Sequence, residues 1–259
     1  MRNADWGVAT DTGRHRAHNE DAYVARSTLF AVADGMGGHQ AGEVASAMAV
    51  AVLTDALTPS GSTGGADTEA GGGTSVHDIQ VAVLRAHDEI AAAAAAEIGR
   101  AGMGTTLTGL AVVTEGGTDR WAVFNVGDSR VYRLVGGMLT QVTVDHSEVE
   151  ELVAAGRLDR EQARFDRRRH IITRSLGSDD RPMVDLWVFP PAAGEQFLVC
   201  SDGLTGEVPD HRIAELMLGA ASARDAASAL ASAALDAGGH DNVTVIVVRP
   251  DDPAGGAGS

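Results

Sequence analysis

Four aspartates recur at the edges of apolar, β-rich runs. Asp34 follows "LFAVA", Asp128 follows "FNVG", Asp202 follows "FLVCS", and Asp241 immediately precedes "NVTVIVV". Each has a glycine, serine or asparagine beside it. Taken singly, such a residue makes a turn or caps a helix through local hydrogen bonds. Four in one strand-rich chain invite a second reading, in which strand ends converge on one acidic pocket. Crowded carboxylates cannot all stay ionised without a compensating cation. With oxygen ligands and no His or Cys cluster, the hard ions Mg²⁺ and Mn²⁺ fit best. Two such ions about 3.5–4 Å apart can bridge a water, lower its pKa and aim it at phosphorus.

The stretch "FAVADGMGGHQAGE", residues 30–43, admits a rival: a glycine loop wrapping a nucleotide phosphate. The fingerprint is imperfect, because Gln40 stands where the third required glycine belongs. In a metal cradle the glycines instead let the backbone turn tightly, so that the Gly35 carbonyl can join the shell. A phosphate clamp is also needed. "GRHRAHNEDAY", residues 13–23, offers Arg16 with Glu20 and Asp21. A guanidinium grips phosphate through two parallel hydrogen bonds, although a solvated charged loop explains the same residues equally well.

Composition narrows the chemistry. The 259 residues carry 20 basic and 36 acidic side chains, a net charge of −16. So acidic a surface repels nucleic acid and anionic membranes, and a phosphate site on it needs concentrated local positive charge. Every basic residue is arginine. The absence of lysine excludes a P-loop, a protein-kinase strand lysine, a Schiff base and a Ser-Lys acyl transferase. Cys200 is the only cysteine, so one chain forms no disulfide or multi-thiolate zinc site. Nor is it a cysteine phosphatase, which needs Arg six positions on where Gly206 stands, and Cys200 reads as a buried strand residue. No signal segment or membrane-length apolar run is present, so the expectation is a soluble cytoplasmic protein.

The elements that must position these residues follow from hydrophobic period. Strands are expected around "WGVAT", "AYVAR" and "TLFAVAD", then a helix from Glu43 to about Leu57. Residues 59–75 form a low-complexity flexible loop, and a second helix spans roughly His77 to Arg100. "TTLTGLAVV", "RWAVFNV", "SRVYRLV" and "MLTQV" follow as strands, the last two joined by Gly136-Gly137, a hairpin signal. Residues 143–182 are an Arg-rich excursion, long enough to be a functional flap or else a disordered insert, containing a short helix ended by Gly156. Strands "DLWVF" and "QFLVC", helices near 210–219 and 222–236, the strand "VTVIVV" and a disordered tail at 250–259 complete the chain. Hairpins and paired helices argue against alternating βαβ units.

Six motifs carry a family resemblance: "RAHNEDAY" at 16–23, "VADGMGGHQAGEVAS" at 32–46, "GTTLTG" at 104–109, "NVGDSRVYRL" at 125–134, "SDGLTGEV" at 201–208 and "GHDNVTVIVV" at 239–248. In this order and spacing the chain resembles the compact bacterial form of the type 2C metal-dependent protein phosphatases. The resemblance implies an α+β fold, a four-layer α/β/β/α sandwich of two antiparallel sheets flanked by helix pairs, as one catalytic domain over 1–249. It implies hydrolysis of phosphoserine and phosphothreonine by a metal-bridging water. Two Mn²⁺ or Mg²⁺ ions are implied, with a third, weaker one. Asp34 would bridge the two ions and the Gly35 carbonyl would bind one. Asp202 and Asp241 would bind the other, and Asp128 would join Asp202 in the third site. Arg16 would hold the phosphoryl group, while Glu20 and Asp21 would orient metal-bound waters. The implied partners are phosphorylated proteins, substrates of serine/threonine kinases, met by a monomer.

One departure stands out: Met36 occupies the place where some relatives carry a histidine proposed to protonate the leaving group, and His39 is not a substitute for it. The general acid is therefore unassigned. His146, in "VDHS", reads as solvent-facing or turn-capping, and His15 and His18 as structural or solvated. The alternative to an enzyme is a catalytically silent regulatory module of the same fold, but such modules typically lose metal ligands and this chain keeps them all.

Overall fold

The computed structural model describes residues 4–37, 41–58, 73–96, 102–163 and 165–251. Eleven strands occur among them. β1 (Ala4–Asp11), β11 (Val243–Pro250), β10 (Gln196–Cys200), β7 (Arg130–Val135) and β8 (Met138–Gln141) form one sheet in that order. β2 (Asp21–Arg26), β3 (Leu29–Met36), β5 (Leu107–Glu115), β6 (Thr118–Val126) and β9 (Asp185–Phe189) form the other, with the two-residue β4 (Gly104–Thr105) on the end of β3. Every pairing is antiparallel. The nucleotide-loop alternative, which needs parallel βαβ units, has no scaffold here.

Strand alternation builds the layers. In β3, Phe30 and Val32 enter the core between the sheets, with Val199 of β10 and Ile246 of β11, while Leu29, Ala31 and Ala33 face the opposite way. That outer face is covered by α1 (Ala41–Leu57) and α2 (Val76–Ala96). Leu198 and Cys200 of β10 and Val245 of β11 turn outward beneath α6 (Asp210–Gly219) and α7 (Ala223–Ala237). The period-two pattern thus produces four layers, helix pair, sheet, sheet, helix pair, as expected.

α1 begins at Ala41, two residues before the expected start. Its Gly42 packs on the backbone of Gly35, where a Cβ on Gly35 would lie 2.2 Å from the Gly42 carbonyl oxygen. Both positions need glycine, which brings the helix start against the end of β3. Residues 59–72, 97–101 and 252–259, including most of the expected loop, the end of the expected second helix and the tail, lie outside the described residues. Within 143–182 the chain forms α3 (Glu148–Ala154), α4 (Arg160–Ala163) and a 3₁₀ turn at Arg167–His170. α3 is capped by Ser147 and followed by Gly156 at φ 67°.

Candidate metal centre

Asp21 and Asp34 are register partners across β2 and β3. Asp34 shares parity with Phe30 and Val32, and Asp21 with Ala25, so both project to the side between the sheets. The end of β3 is held by its neighbours. Asp34 N donates to Thr106 Oγ1 at 3.0 Å. Its carbonyl accepts from Thr106 N at 2.9 Å and Thr105 Oγ1 at 2.9 Å. Gly35 N donates to the Glu20 carbonyl at 3.2 Å, tying the two strands at the site.

The opposite sheet supplies the other acids. Asp202 opens the four-residue α5 (Asp202–Thr205) directly after β10. The preceding Ser201 donates its hydroxyl to Asp21 Oδ2 at 2.8 Å and accepts from Thr244 N at 2.9 Å, so one serine couples both sheets at the acid cluster. Asp241 precedes β11. Next to it, the Asn242 amide donates to the carbonyls of Thr12 and His18 at 2.8 and 2.9 Å, and its oxygen accepts from Glu20 N at 2.8 Å. That one side chain shapes the loop bearing Arg16. Asp128 lies between β6 and β7, buried, after Gly127 at φ 114°. Ser129 reaches Thr106 at 2.9 Å, joining this loop to the support of Asp34.

The electrostatics are those of a cation site. Burial, then Asp21, Asp202, Asp128 and Asp241 in turn, push the Asp34 carboxyl well above the usual range. Burial and the neighbouring Asp202 and Asp145 do the same to Asp128. Asp21 rises to about 7, chiefly by burial, against hydrogen bonds from Thr244 and Ser201. Buried Asp21 Oδ1 and Asp128 Oδ1 have no hydrogen-bond partner. Unpaired buried carboxylate oxygens amid like charge fit divalent ions. Among the described residues no three His, Cys, Asp or Glu side chains gather round one point. Ions such as Mg²⁺ take one or two carboxylates and fill their shells with waters, which such an arrangement allows.

Arg16 donates to Asp241 Oδ2 at 2.6 Å with half its side chain exposed, and Asp34 and Glu20 also act on its charge. Glu20 contributes its main chain as well: its carbonyl accepts from Ser46 Oγ at 2.6 Å, besides its bonds to Gly35 and Asn242. All the acids expected from sequence, with Arg16, are therefore at one edge of the sandwich.

Sequence reasoning missed the supports. Thr105, Thr106, Ser129, Ser201 and Asn242 act on the site through partners remote in sequence, although all five sit inside the motifs that carry the resemblance. His146 requires a correction: it is buried, not solvent-facing. Its Nδ1 accepts from Gly127 N at 3.0 Å, and its Nε2 lies 3.1 Å from both Asp185 Oδ2 and Arg174 Nη1. It clamps the loop of Asp128 to both ends of the 143–182 segment. His15 is exposed and stacks on His240 at 4.7 Å. Cys200 is buried as expected, its thiol pushed up to about 12 by burial. His39 lies outside the described residues.

Residues 12–237 match the family model described as protein phosphatase 2C. The serine/threonine phosphatase stp of Listeria monocytogenes is 36% identical over 251 residues, covering 93% of this chain and 94% of that protein. The serine/threonine protein phosphatase PstP of Mycobacterium tuberculosis is 39% identical over 243 residues, covering 93% of this chain and 44% of that protein. A crystal structure of PstP superposes with a TM-score of 0.83 at 37% identity, covering 96% of this chain and 99% of that one. The PstP catalytic domain in complex with two manganese ions gives 0.80 at the same identity and coverage.

Proposed function

The chain belongs to the protein phosphatase 2C family and is a metal-dependent serine/threonine protein phosphatase, and we propose how its residues divide the work. Asp34, the Gly35 carbonyl, Asp202 and Asp241 would hold two divalent ions, and Asp128 with Asp202 would hold a third, weaker one. Mn²⁺ and Mg²⁺ both suit this all-oxygen set. Bound there, the ions would acidify a water and direct it at phosphorus.

The chain's own side chains do the rest. Asp21, fixed by Ser201, and Glu20 orient waters in the acid cluster. Arg16, held by Asp241 in this structure, would turn its guanidinium to the phosphoryl group with Asp241 serving a metal ion instead. Overall, a bond forms between the water oxygen and phosphorus and the ester P–O bond breaks. The water's proton passes to the leaving serine or threonine oxygen, so no co-reactant beyond water is needed.

One observation carries this reading: buried, unpartnered carboxylate oxygens on Asp21 and Asp128 beside an Asp34 pushed far up by burial and by four other acids. The relatives at 36–39% identity favour an enzyme over the silent module. The substrates are phosphoproteins made by serine/threonine kinases, met by a cytoplasmic monomer whose catalytic domain is 1–249 and whose flap is 143–182. The −16 charge disfavours nucleic acid and anionic membranes as partners. Among the described residues no helix is long and apolar enough to cross a membrane. Phosphate release from a phosphothreonine peptide, with Mn²⁺, with Mg²⁺ and with excess chelator, tests the reading. Release that needs metal supports it, and release that survives the chelator contradicts it.

A further inference from the structure

The flap collects arginines that the metal cluster does not use. Most are tied down. Arg168 donates to Asp166 at 2.9 and 2.8 Å and reaches Glu148 at 3.5 Å. Arg160 pairs with Glu150, and Arg174 with Asp185. Arg167, on the 3₁₀ turn at Arg167–His170, is exposed and has no ion-pair partner among the described residues.

A 3₁₀ helix has three residues per turn, so residues i and i+3 eclipse. Arg167 therefore shares a face with His170. His170 Nδ1 lies 3.9 Å from Asp202 Oδ2, so that face looks onto the metal cluster. Arg169, also exposed and without an ion-pair partner among the described residues, sits on another face of the turn. The turn is bracketed by Phe165 and Ile171, 83% and 48% exposed, a surface suited to a peptide rather than to a bare anion. In a chain of net charge −16, a free guanidinium at the mouth of the acid cluster is the local attraction that an anionic substrate needs.

We infer that Arg167 selects substrate by pairing with an anionic side chain within a few residues of the phosphoserine or phosphothreonine in a phosphopeptide. The inference rests on the phosphatase reading. It adds a preference that the metal site cannot supply, because the metal site handles only the scissile phosphate.

The experiment compares kcat/KM for three phosphothreonine peptides, with flanking residues replaced by Asp, Ala or Arg, in the wild type and in Arg167→Ala and Arg167→Glu. Arg224→Ala, another exposed arginine without an ion-pair partner among the described residues, controls for net charge. An exposed ion pair corresponds to at most about a fivefold preference. The wild type and Arg224→Ala should favour the Asp peptide over the Ala peptide by up to about fivefold at low salt, fading at high salt. In Arg167→Ala the ratio should fall to near one, and in Arg167→Glu it should invert. A wild type without preference, or an Arg167→Ala that keeps it, overturns the inference. Hydrolysis of p-nitrophenyl phosphate, which has no flanks, reports on the phosphatase reading separately. If nothing is hydrolysed, that reading fails, and fluorescence anisotropy of the same labelled peptides decides the role of Arg167 by the same ratios.

Discussion

Asp21 and Asp34 stand directly opposite each other on β2 and β3, on the same side of the sheet and facing its partner sheet. Like charges in that position destabilise a strand pair. A cation held there, as proposed, would relieve the repulsion.

Removing one of these charges should stabilise the metal-free protein. Asp21→Asn keeps an acceptor for Ser201 and loses a charge, so in chelator its Tm should rise by about 2–4 °C. The gain in Tm on adding Mn²⁺ should shrink. Differential scanning calorimetry with and without Mn²⁺ measures both. A lower Tm in chelator would contradict the repulsion argument.

Arg16→Ala should act on substrate binding. Charge-assisted hydrogen bonds contribute about 1.5–3 kcal/mol, so KM for phosphopeptides should rise about tenfold or more, with a smaller change in kcat. Arg16→Lys should recover only part, because an ammonium lacks the planar fork. Steady-state kinetics that find KM unchanged would place the phosphate clamp elsewhere.

His146 should separate into two functions by substitution. Asn at 146 can still accept from Gly127 N but cannot reach Asp185, whereas Ala leaves the buried Gly127 donor unsatisfied at a cost of about 1–3 kcal/mol. His146→Ala should therefore lose more stability and more affinity for the weakest Mn²⁺ than His146→Asn. Calorimetric melting and Mn²⁺ titration read the two effects, and equal losses in both variants would make the Gly127 bond irrelevant.

His87 gives an acid-side stability limb away from the metal cluster. Burial pushes its imidazole below the usual value, Asp88 pulls it part of the way back and Arg181 presses it down again. Its Nδ1 accepts from Gly177 N at 3.2 Å, docking the end of the flap on α2. A base depressed in the folded state binds its proton more readily when unfolded, so stability is present above pH 6.5 and is lost as pH falls through the folded pKa. His87→Gln should flatten the decline in Tm below pH 6.5. A decline of unchanged slope would assign it to other groups.

Much of this was legible in the chain. Alternation in "LFAVAD" and "QFLVC" gave the strands and their two faces, and the acids at strand ends were visible as a set. Even the pairing of Asp21 with Asp34 follows once the two-residue turn at Ser27 and Thr28 fixes Arg26 opposite Leu29. The supports were not legible, for a physical reason. Asn242 bonds to residues 12, 18 and 20, and His146 to residues 127, 174 and 185, so only the closed fold brings their partners near. A buried histidine and a solvated one look alike in sequence.

Asp34→Asn tests the central claim most directly, with Mn²⁺ equivalents bound and phosphate released measured on the same preparation. The account predicts a protein that melts at or above the wild-type temperature in chelator and binds Mn²⁺ less tightly. It should also release phosphate from a phosphothreonine peptide at least about a hundredfold more slowly, the scale of removing one transition-state charge stabiliser. Wild-type turnover and Mn²⁺ binding in that variant would contradict it.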